Sequence, residues 1–207
     1  MKKTSKIPDA AIERLALYSR PLRALLESGT TVISSEKLAG FCGVNPAQVR
    51  KDLAYFGEFG VRGVGYDASD LLREIKKILA TDREWTLCLV GMGNLGNAIV
   101  QNENFGKMGY RFVAVFDKDP KKVGKTVPCG LVIEPVTRLR ELIRSLHIQI
   151  GVITTPPEEA QRVTDLLLDA GIKGILNFAP TQVKTPDGYV IENVDFGVRF
   201  ENLAYQG

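Results

Sequence analysis

The sequence predicts an α/β protein in which a small helical part precedes a mostly parallel, doubly wound sheet. After residue 84, apolar runs alternate with helical patterns over short connections, which is typical of parallel strands joined by crossover helices. The first 83 residues instead carry helical apolar spacing that is interrupted by glycine stops. We therefore place a domain boundary near residue 83, and a chain of 207 residues is long enough for two small domains.

The first helical pattern covers residues 10–26 and stops at Gly29. Pro21 lies inside it and is expected to kink the helix or to restart a first turn, because proline cannot donate the i→i−4 hydrogen bond. A second, short helix is predicted over residues 35–42, and Gly43 ends it.

A third helix is predicted over residues 47–56, with Asn45 as its N-cap and Pro46 at its first position. Two short helices around a glycine turn form a helix-turn-helix pattern, whose second helix enters the major groove of DNA. Arginine and lysine on such a helix pair with guanine or with phosphate, and the sequence leaves open which contact each makes. The candidate DNA contacts are Asn45, Gln48, Arg50 and Lys51.

Residues 57–66 contain four glycines among aromatic and β-branched residues, which favours a hairpin with a tight tip. Together with the helices before it, this hairpin predicts a winged helix-turn-helix domain, with Arg62 on the wing near the DNA backbone or the minor groove. The alternative is a small helical domain that serves only as a dimerisation cap. An amphipathic helix over residues 70–79 is expected to connect the two domains.

A glycine-rich turn joins two apolar runs at the start of the second domain. The run 85–90 leads into Gly91, Met92, Gly93, Asn94, Leu95 and Gly96, and the run 110–116 ends in Asp117. The three glycines allow a tight turn, the approach of backbone N–H groups to a pyrophosphate, and close packing of the helix on the strand. An acid at the position of Asp117 hydrogen-bonds a ribose 2′-OH and repels a 2′-phosphate. We therefore predict a Rossmann-like domain that binds NADH or NAD⁺ through these loop residues and Asp117; the alternative is a glycine turn that only closes a βα unit.

Further strands are predicted at 130–133, 148–153 and 174–178, with helices at 136–143 and 157–170.

Ligands of doubly wound sheets lie beyond the carboxyl ends of the strands, where strand order reverses. Thr154 and Thr155 follow one predicted strand and are candidates to hydrogen-bond a nicotinamide ribose. Phe178 and Ala179, at the end of the next strand, are candidates to line the nicotinamide. Ordinary N-caps and turns would explain the same four residues.

The composition argues against several other classes of protein. Residues 1–83 carry 14 Lys or Arg against 10 Asp or Glu, which agrees with an N-terminal nucleic-acid module. No apolar run approaches the roughly 20 residues of a membrane helix. Three scattered cysteines and a single histidine form no metal or disulfide pattern, and no hydride-transfer acid or Ser/His/Asp set is visible. We expect a cytoplasmic sensor that is not an enzyme and holds no metal.

Several of these motifs resemble the Rex family of redox-sensing transcriptional repressors. Residues 48–57 with 62–66 are similar to the family's DNA-binding signature, and residues 91–96, 174–180 and 192–196 are similar to its later motifs. The resemblance covers nearly the whole chain. It implies a homodimer that binds operator DNA when NADH is scarce and releases it as the NADH/NAD⁺ ratio rises, in control of bacterial fermentation and respiration genes.

The resemblance also implies the layout of the chain. The DNA-binding domain takes residues 1–83, the NAD(H)-binding domain residues 84–193, and a dimerisation helix, exchanged between subunits, lies in residues 194–207. The resemblance further implies an ion pair between Arg20 and Asp195 across the subunit interface, formed when NADH closes the dimer.

One position departs from the family pattern. Some members carry a tyrosine after the glycine-loop helix that couples the nicotinamide to the N-terminal domain, and here Asn102 or Phe105 stands nearest that position. Two rival functions remain at this point: a small NAD-dependent oxidoreductase with an N-terminal extension, and a CoA-binding protein. Asp117 argues against CoA, whose 3′-phosphoadenosine would bring negative charge near the carboxylate.

Overall fold

The computed structural model describes residues 7–61 and 63–207, and the chain divides into two compact units, residues 1–83 and 84–207. Each unit buries apolar residues of its own: one cluster in the first unit and two in the second, on the opposite faces of its sheet. Within the described ranges, no helix is both long and apolar enough to cross a membrane.

The described residues of the first unit form four helices and a two-stranded sheet. Its elements are α1 (Asp9–Glu27), β1 (Val32–Ile33), α2 (Ser35–Cys42), α3 (Pro46–Ala54), β2 (Tyr66–Asp67) and α4 (Ala68–Ile78), with β1 and β2 antiparallel. The core-facing side of α1 carries Ala11, Leu15, Tyr18 and Leu22, all fully buried, at the helical spacing that the sequence predicts. Gly43, with φ of 66°, ends α2 and makes the turn into α3.

Pro21 lies inside α1, and the helix continues through it from Asp9 to Glu27. A proline at position 21 leaves the carbonyl of Leu17 without its usual N–H donor. The thiol of Cys42, at the end of α2, donates to that carbonyl over a distance of 3.8 Å. The proline therefore neither ends nor restarts the helix, and the carbonyl that it frees is used to hold α2.

The predicted hairpin over residues 57–66 is smaller than expected. Val61 and Gly65 form a single bridge, and Tyr66 pairs with Ile33 in the sheet of β1 and β2 instead. The glycines at 57, 60, 63 and 65 all have positive φ, which is incompatible with extended strands on both sides of a turn. Arg62, the predicted wing residue, lies outside the described residues.

The helix α4 is more than a connection between domains. Its residues Ala68, Leu71, Leu72 and Ile75 are buried in the cluster that α1 and α3 also form. The expected amphipathic pattern is present, and its apolar face belongs to the core of the first unit.

The second unit contains a six-stranded sheet in the order β5-β4-β3-β6-β7-β8, and every neighbouring pair is parallel. The strands are β3 (Trp85–Val90), β4 (Tyr110–Asp117), β5 (Ile133–Pro135), β6 (Ile150–Ile153), β7 (Gly174–Asn177) and β8 (Val190–Asn193). Strand order reverses between β3 and β6. This is the doubly wound arrangement that the sequence predicts, and the predicted fold class is confirmed.

The helices of the second unit are α5 (Asn94–Val100), α6 (Asn104–Lys107), α7 (Leu139–Ser145), α8 (Pro157–Ala170) and α9 (Phe196–Gln206), with a 3₁₀ turn at Val136–Arg138. The helix at 157–170 and the strand at 85–90 coincide with their predictions. The strand predicted at 130–133 is wrong by about one strand length: residues 127–131 form a turn, and β5 begins at Ile133. The edge strand β8 has no counterpart among the predicted elements.

Candidate functional site

The carboxyl ends of β3 and β6 border a cleft of about 470 Å³. These strands are neighbours at the point where strand order reverses, and ligands of doubly wound sheets lie at this point. The walls come from the glycine loop, the end of β4 and the segment after β6. They include Gly91, Gly93, Asp117, Thr154 and Thr155, so the cleft gathers five of the predicted ligand-binding residues.

The three loop glycines have separate structural reasons. Gly91 has φ of 105°, and a Cβ there would lie 2.8 Å from the backbone carbonyl carbon of Thr154. A Cβ on Gly96 would overlap the carbonyl oxygen of Gly91. A Cβ on Gly93, by contrast, would meet nothing within 4 Å. Gly91 and Gly96 thus keep the loop tight, while the backbone at Gly93 faces open space beside the cleft, as close approach of a pyrophosphate requires.

The other loop residues contribute less to the cleft. Met92 is buried in the core, and its N–H is already used by Asp117. Asn94 and Leu95 are exposed at the start of α5 and do not line the cleft.

Asp117 is buried and accepts three hydrogen bonds at the end of β4. Its Oδ2 accepts from the backbone N of Met92 at 2.8 Å and from Lys122 Nζ at 3.0 Å, and its Oδ1 accepts from the backbone N of Asp119 at 2.8 Å. Burial raises the pKa of Asp117, but these donors outweigh burial and hold the pKa below its ordinary value. The group is therefore an ionised carboxylate.

An ionised carboxylate offers about four acceptor positions. Three donors already use the carboxylate of Asp117, which leaves about one position for a ribose hydroxyl. Asp117 therefore ties the glycine loop to the end of β4, and it can still accept a hydrogen bond from a ligand.

Thr154 and Thr155 differ in what their hydroxyl groups already bind. The Thr154 hydroxyl donates to the carbonyl oxygen of Gly91 at 2.7 Å, so toward a ligand it can only accept. The Thr155 hydroxyl is buried and has no hydrogen-bond partner among the described residues. Buried polar groups are nearly always paired, so the Thr155 hydroxyl is an exception among the described residues.

Phe178 and Ala179 lie beyond the next strand, β7, and are not among the residues lining the cleft. The loop that holds them is fixed by Asn177, a fully buried side chain whose Oδ1 accepts from Ala179 N at 3.0 Å. Its Nδ2 donates to Asn193 Oδ1 at 2.9 Å, at the end of β8. The ring of Phe178 lies 6.2 Å from that of Phe196, in the first turn of α9.

The described residues offer few side chains suited to catalysis or metal binding. His, Cys, Asp and Glu side chains form no group of three that could hold a metal ion there. Burial raises the pKa of the Cys88 thiol to about 12, which keeps it protonated and unreactive.

The second candidate site is the exposed face of α3 in the first unit. Asn45 is the predicted N-cap: its Oδ1 accepts from the backbone N of Gln48 at 2.8 Å. The Gln48 side chain is half-buried and turns toward Asp52, one helical turn later, to which Nε2 donates at 2.7 Å. Lys51 is exposed, and in the described part of the chain no ion pair engages it.

Arg50 is held by the start of α2. Its Nη1 donates to Ser35 Oγ at 2.7 Å and lies 3.1 Å from Glu36 Oε1. The arginine keeps its other guanidinium donors for a phosphate or a base.

Sequence reasoning missed the residue that organises α3. Asp52 is fully buried, and Arg14 of α1 binds it through two hydrogen bonds, Nε to Oδ2 at 2.6 Å and Nη2 to Oδ1 at 2.8 Å. The Tyr18 hydroxyl also donates to Oδ2, at 2.7 Å. One signal could have found it: Asp52 shares with Val49 and Leu53 the spacing of the buried face of α3, where an acid needs a partner.

The predicted switch residues lie in different units, and each is described within its own. Arg20 is exposed on α1. Asp195 is half-buried and caps α9, accepting from the backbone N of Gly197 at 2.8 Å. Asn102, one candidate for the coupling position, accepts from the backbone N of Asn104, and Phe105 packs edge-on against Phe112.

Comparison with known proteins agrees with this two-part layout. A family model described as a putative DNA-binding protein N-terminus matches residues 6–54, and one described as a CoA binding domain matches residues 82–181. The redox-sensing transcriptional repressor Rex of Syntrophobacter fumaroxidans is 56% identical over 203 residues, covering 98% of this chain and 97% of the relative. The chain belongs to the Rex family.

Other members of the family support the same assignment. Rex of Maridesulfovibrio salexigens is 49% identical over 98% of this chain and 97% of its own length. RSP, a Rex-family repressor, has been solved in complex with β-NAD⁺ and operator DNA; it is 35% identical, with a TM-score of 0.92 over 98% of this chain and 93% of RSP. RSP in complex with β-NADH gives a TM-score of 0.86 at 33% identity, over 98% of this chain and 94% of RSP.

Family membership decides between the rival interpretations. The resemblance to Rex is confirmed, and Rex proteins are transcriptional repressors, which confirms the expectation that the chain is not an enzyme. The CoA-binding match covers residues 82–181, and the ligands named for the Rex-family repressor RSP are nicotinamide dinucleotides.

Proposed function

We propose that this chain is a redox-sensing transcriptional repressor that binds operator DNA and releases it when NADH binds. The observation that carries the proposal is the ionised Asp117 at the reversal of strand order, tied to the glycine loop with one acceptor position to spare. The same chain carries a helix-turn-helix in its first unit. NADH is then a sensed ligand that is not turned over, and the repressor works on chromosomal DNA in the cytoplasm.

The dinucleotide is proposed to lie across the cleft between β3 and β6. Gly91, Gly93 and Gly96 shape the pyrophosphate loop, and Asp117 accepts from the adenosine ribose. Thr155 offers the unpaired hydroxyl and Thr154 an acceptor, both suited to ribose oxygens. Phe178 and Ala179, at the end of β7, are proposed to face the nicotinamide.

DNA binding is proposed to use α3 and its flanks. Asn45, Gln48, Arg50 and Lys51 lie on or beside the helix that a helix-turn-helix protein inserts into the major groove. Lys51, which is exposed, is suited to phosphate, whereas Gln48 is held by a neighbouring side chain. Arg62 remains the proposed wing contact.

We infer that the protein is a homodimer and that α9 is its exchanged dimerisation helix. Support comes from five apolar side chains of α9, each at least half exposed, because an exposed apolar face of this kind marks a surface for a protein partner. They are Phe196, Val198, Phe200, Leu203 and Tyr205. Asp195, which caps this helix, is proposed to pair with Arg20 of the other subunit when NADH closes the dimer.

The experiment is a gel shift with a duplex selected by the protein from a random DNA pool, titrated separately with NADH, NAD⁺ and CoA. We expect a sequence-selective complex that NADH dissociates at lower concentration than NAD⁺, and that CoA leaves intact. Release by CoA alone would contradict the ligand assignment. Failure to select any sequence would contradict repressor function.

A further inference from the structure

The buried carboxylate of Asp52 fixes the orientation of the Gln48 amide. Four hydrogen bonds converge on it, from Arg14, Tyr18 and Gln48, at distances of 2.6 to 2.8 Å. Burial raises the pKa of Asp52, but the hydrogen bonds from these donors outweigh burial and leave the pKa below its ordinary value. Asp52 is thus an ionised group that can only accept hydrogen bonds.

Because Asp52 can only accept hydrogen bonds, the Gln48 amide has a single favourable orientation. The amide nitrogen of Gln48 must face Asp52, because its oxygen would meet a negative charge. One of the two amide hydrogens is used in this way. The amide oxygen and the second hydrogen remain, and together they form one edge with an acceptor beside a donor.

That edge lies at the part of α3 where bases are read. Gln48 is the third residue of the helix after its cap, and recognition helices contact base edges with their N-terminal residues. Adenine presents N7 as an acceptor and N6 as a donor in the major groove, which is the complement of the free amide edge. Guanine presents two acceptors there and matches it less well.

We propose that Gln48 selects an adenine in the operator, and that Asp52, held by Arg14 and Tyr18, is the positioning residue that keeps its amide in the adenine-reading orientation. The inference rests on the proposed repressor function. It assigns base specificity to a network in which Asp52 is fully buried and touches no DNA. Neither Arg50 nor Lys51 carries a hydrogen-bond acceptor, so neither can make this paired donor and acceptor contact with adenine.

The test uses the full-length protein and a panel of duplexes derived from its selected operator, each with one base pair replaced symmetrically in both half-sites. Wild-type protein should bind the selected operator more tightly than at least one duplex in which an adenine has been replaced. Gln48→Ala should abolish that preference, a loss of about 5- to 150-fold in discrimination, and keep its preferences at other positions. Asp70→Asn is the matched control, because it removes one carboxylate from an exposed ion pair of the same unit; all preferences should persist.

Asp52→Asn tests the positioning role, because the neutral amide no longer dictates which end of the Gln48 amide faces it. The adenine preference should be lost in this variant, while Asp52→Asn added to Gln48→Ala should cause no further loss of discrimination at that position. A purely structural role for Asp52 would instead weaken binding to every duplex by the same factor in both backgrounds. Tyr18→Phe, which removes a single donor, should reduce the preference and serves if Asp52→Asn does not fold.

The outcomes separate this inference from the function beneath it. Wild-type protein that binds all duplexes equally would contradict repressor function itself. Selective wild-type binding with an unchanged base profile in Gln48→Ala would overturn the assignment of Gln48. Loss of the adenine preference in Gln48→Ala, together with its retention in folded Asp52→Asn and Tyr18→Phe, would overturn the positioning role.

Discussion

Replacing Asp117 with asparagine is the most direct test of the nucleotide cleft. In the structure, a backbone N–H donates to each carboxylate oxygen, from Met92 to one and from Asp119 to the other. Whichever way the asparagine amide turns, its NH₂ group therefore faces one of these N–H donors. The substitution removes the negative charge with almost no change in size, yet it leaves one of these two backbone N–H donors without an acceptor.

The expected magnitudes follow from these contacts. A hydrogen bond to a charged group contributes about 1.5–3 kcal/mol, so losing the ribose contact of Asp117 should weaken NADH binding by roughly 10- to 150-fold. For NADPH the substitution should instead favour binding. An ionised acid about 4 Å from one phosphate charge repels it by about 4 kcal/mol near a protein surface, and the variant removes this repulsion. It also frees Lys122 as a phosphate partner. The ratio of the NADH affinity to the NADPH affinity should therefore shrink by more than the roughly 10- to 150-fold loss of NADH affinity.

Isothermal titration with NADH and NADPH, on wild type and Asp117→Asn, measures this ratio. Glu84→Gln is the matched control, since Glu84 is an exposed acid of the same unit that pairs with Arg111 outside the cleft. It should leave both affinities unchanged. An unaltered NADH-to-NADPH ratio in folded Asp117→Asn would remove the ribose role and leave Asp117 as a loop clamp only.

Five further perturbations test other parts of the proposals. Lys51→Ala should weaken binding to all duplexes and reduce the salt slope by about one unit if the lysine contacts phosphate, and Arg50→Ala should also weaken operator binding without changing NADH affinity; normal gel shifts for both would contradict the recognition-helix assignment. Truncation after Glu192 should give monomers in analytical ultracentrifugation that do not bind the operator, so a stable truncated dimer would argue against α9. Asp195→Ala should keep NADH affinity and raise the NADH concentration needed for operator release, and unchanged release would exclude a switch role. Arg14→Met leaves a buried charge unpaired and should destabilise the first unit by about 3–5 kcal/mol at neutral pH, seen as faster hydrogen exchange of α3. In the wild type the pKa of Asp52 is lowered, so the stability that the ionised Asp52 contributes is lost as pH falls through that pKa. The difference in unfolding free energy between wild type and Arg14→Met should therefore narrow in acid.

Local signals explain which parts of the fold were predictable. The glycine loop after β3 could be located from the residues alone, because its glycine spacing directly follows an apolar run and precedes a helix, although the backbone that crowds Gly91 belongs to the distant Thr154. The helix Pro157–Ala170 likewise has its own start signal in Pro157 and its stop in Gly171. These elements carry their own boundaries in the sequence.

Other features depend on pairing between distant segments. The strand β8 exists because residues 190–193 pair with β7, and its exposed, mixed residues give no alternating pattern. The predicted strand at 130–133 was misplaced because the segment before β5 folds back on itself between Thr126 and Val132. Asp52 has the spacing of the buried face of α3, but only the packing of α1 against α3 shows that Arg14 and Tyr18 are its partners.

Asn177 links the end of β7 to the start of α9 through hydrogen bonds of its side chain and its backbone. Its amide holds Asn193, and its backbone oxygen accepts from the N–H of Val194, one residue before the cap of α9. If the end of β7 slid past the start of α9, buried polar groups would lose their hydrogen bonds. Each group left unsatisfied would cost about 1–3 kcal/mol of stability. A ligand that displaced the end of β7 would therefore be expected to move the base of α9 with it, because Asn177 is hydrogen-bonded to both Asn193 and Val194.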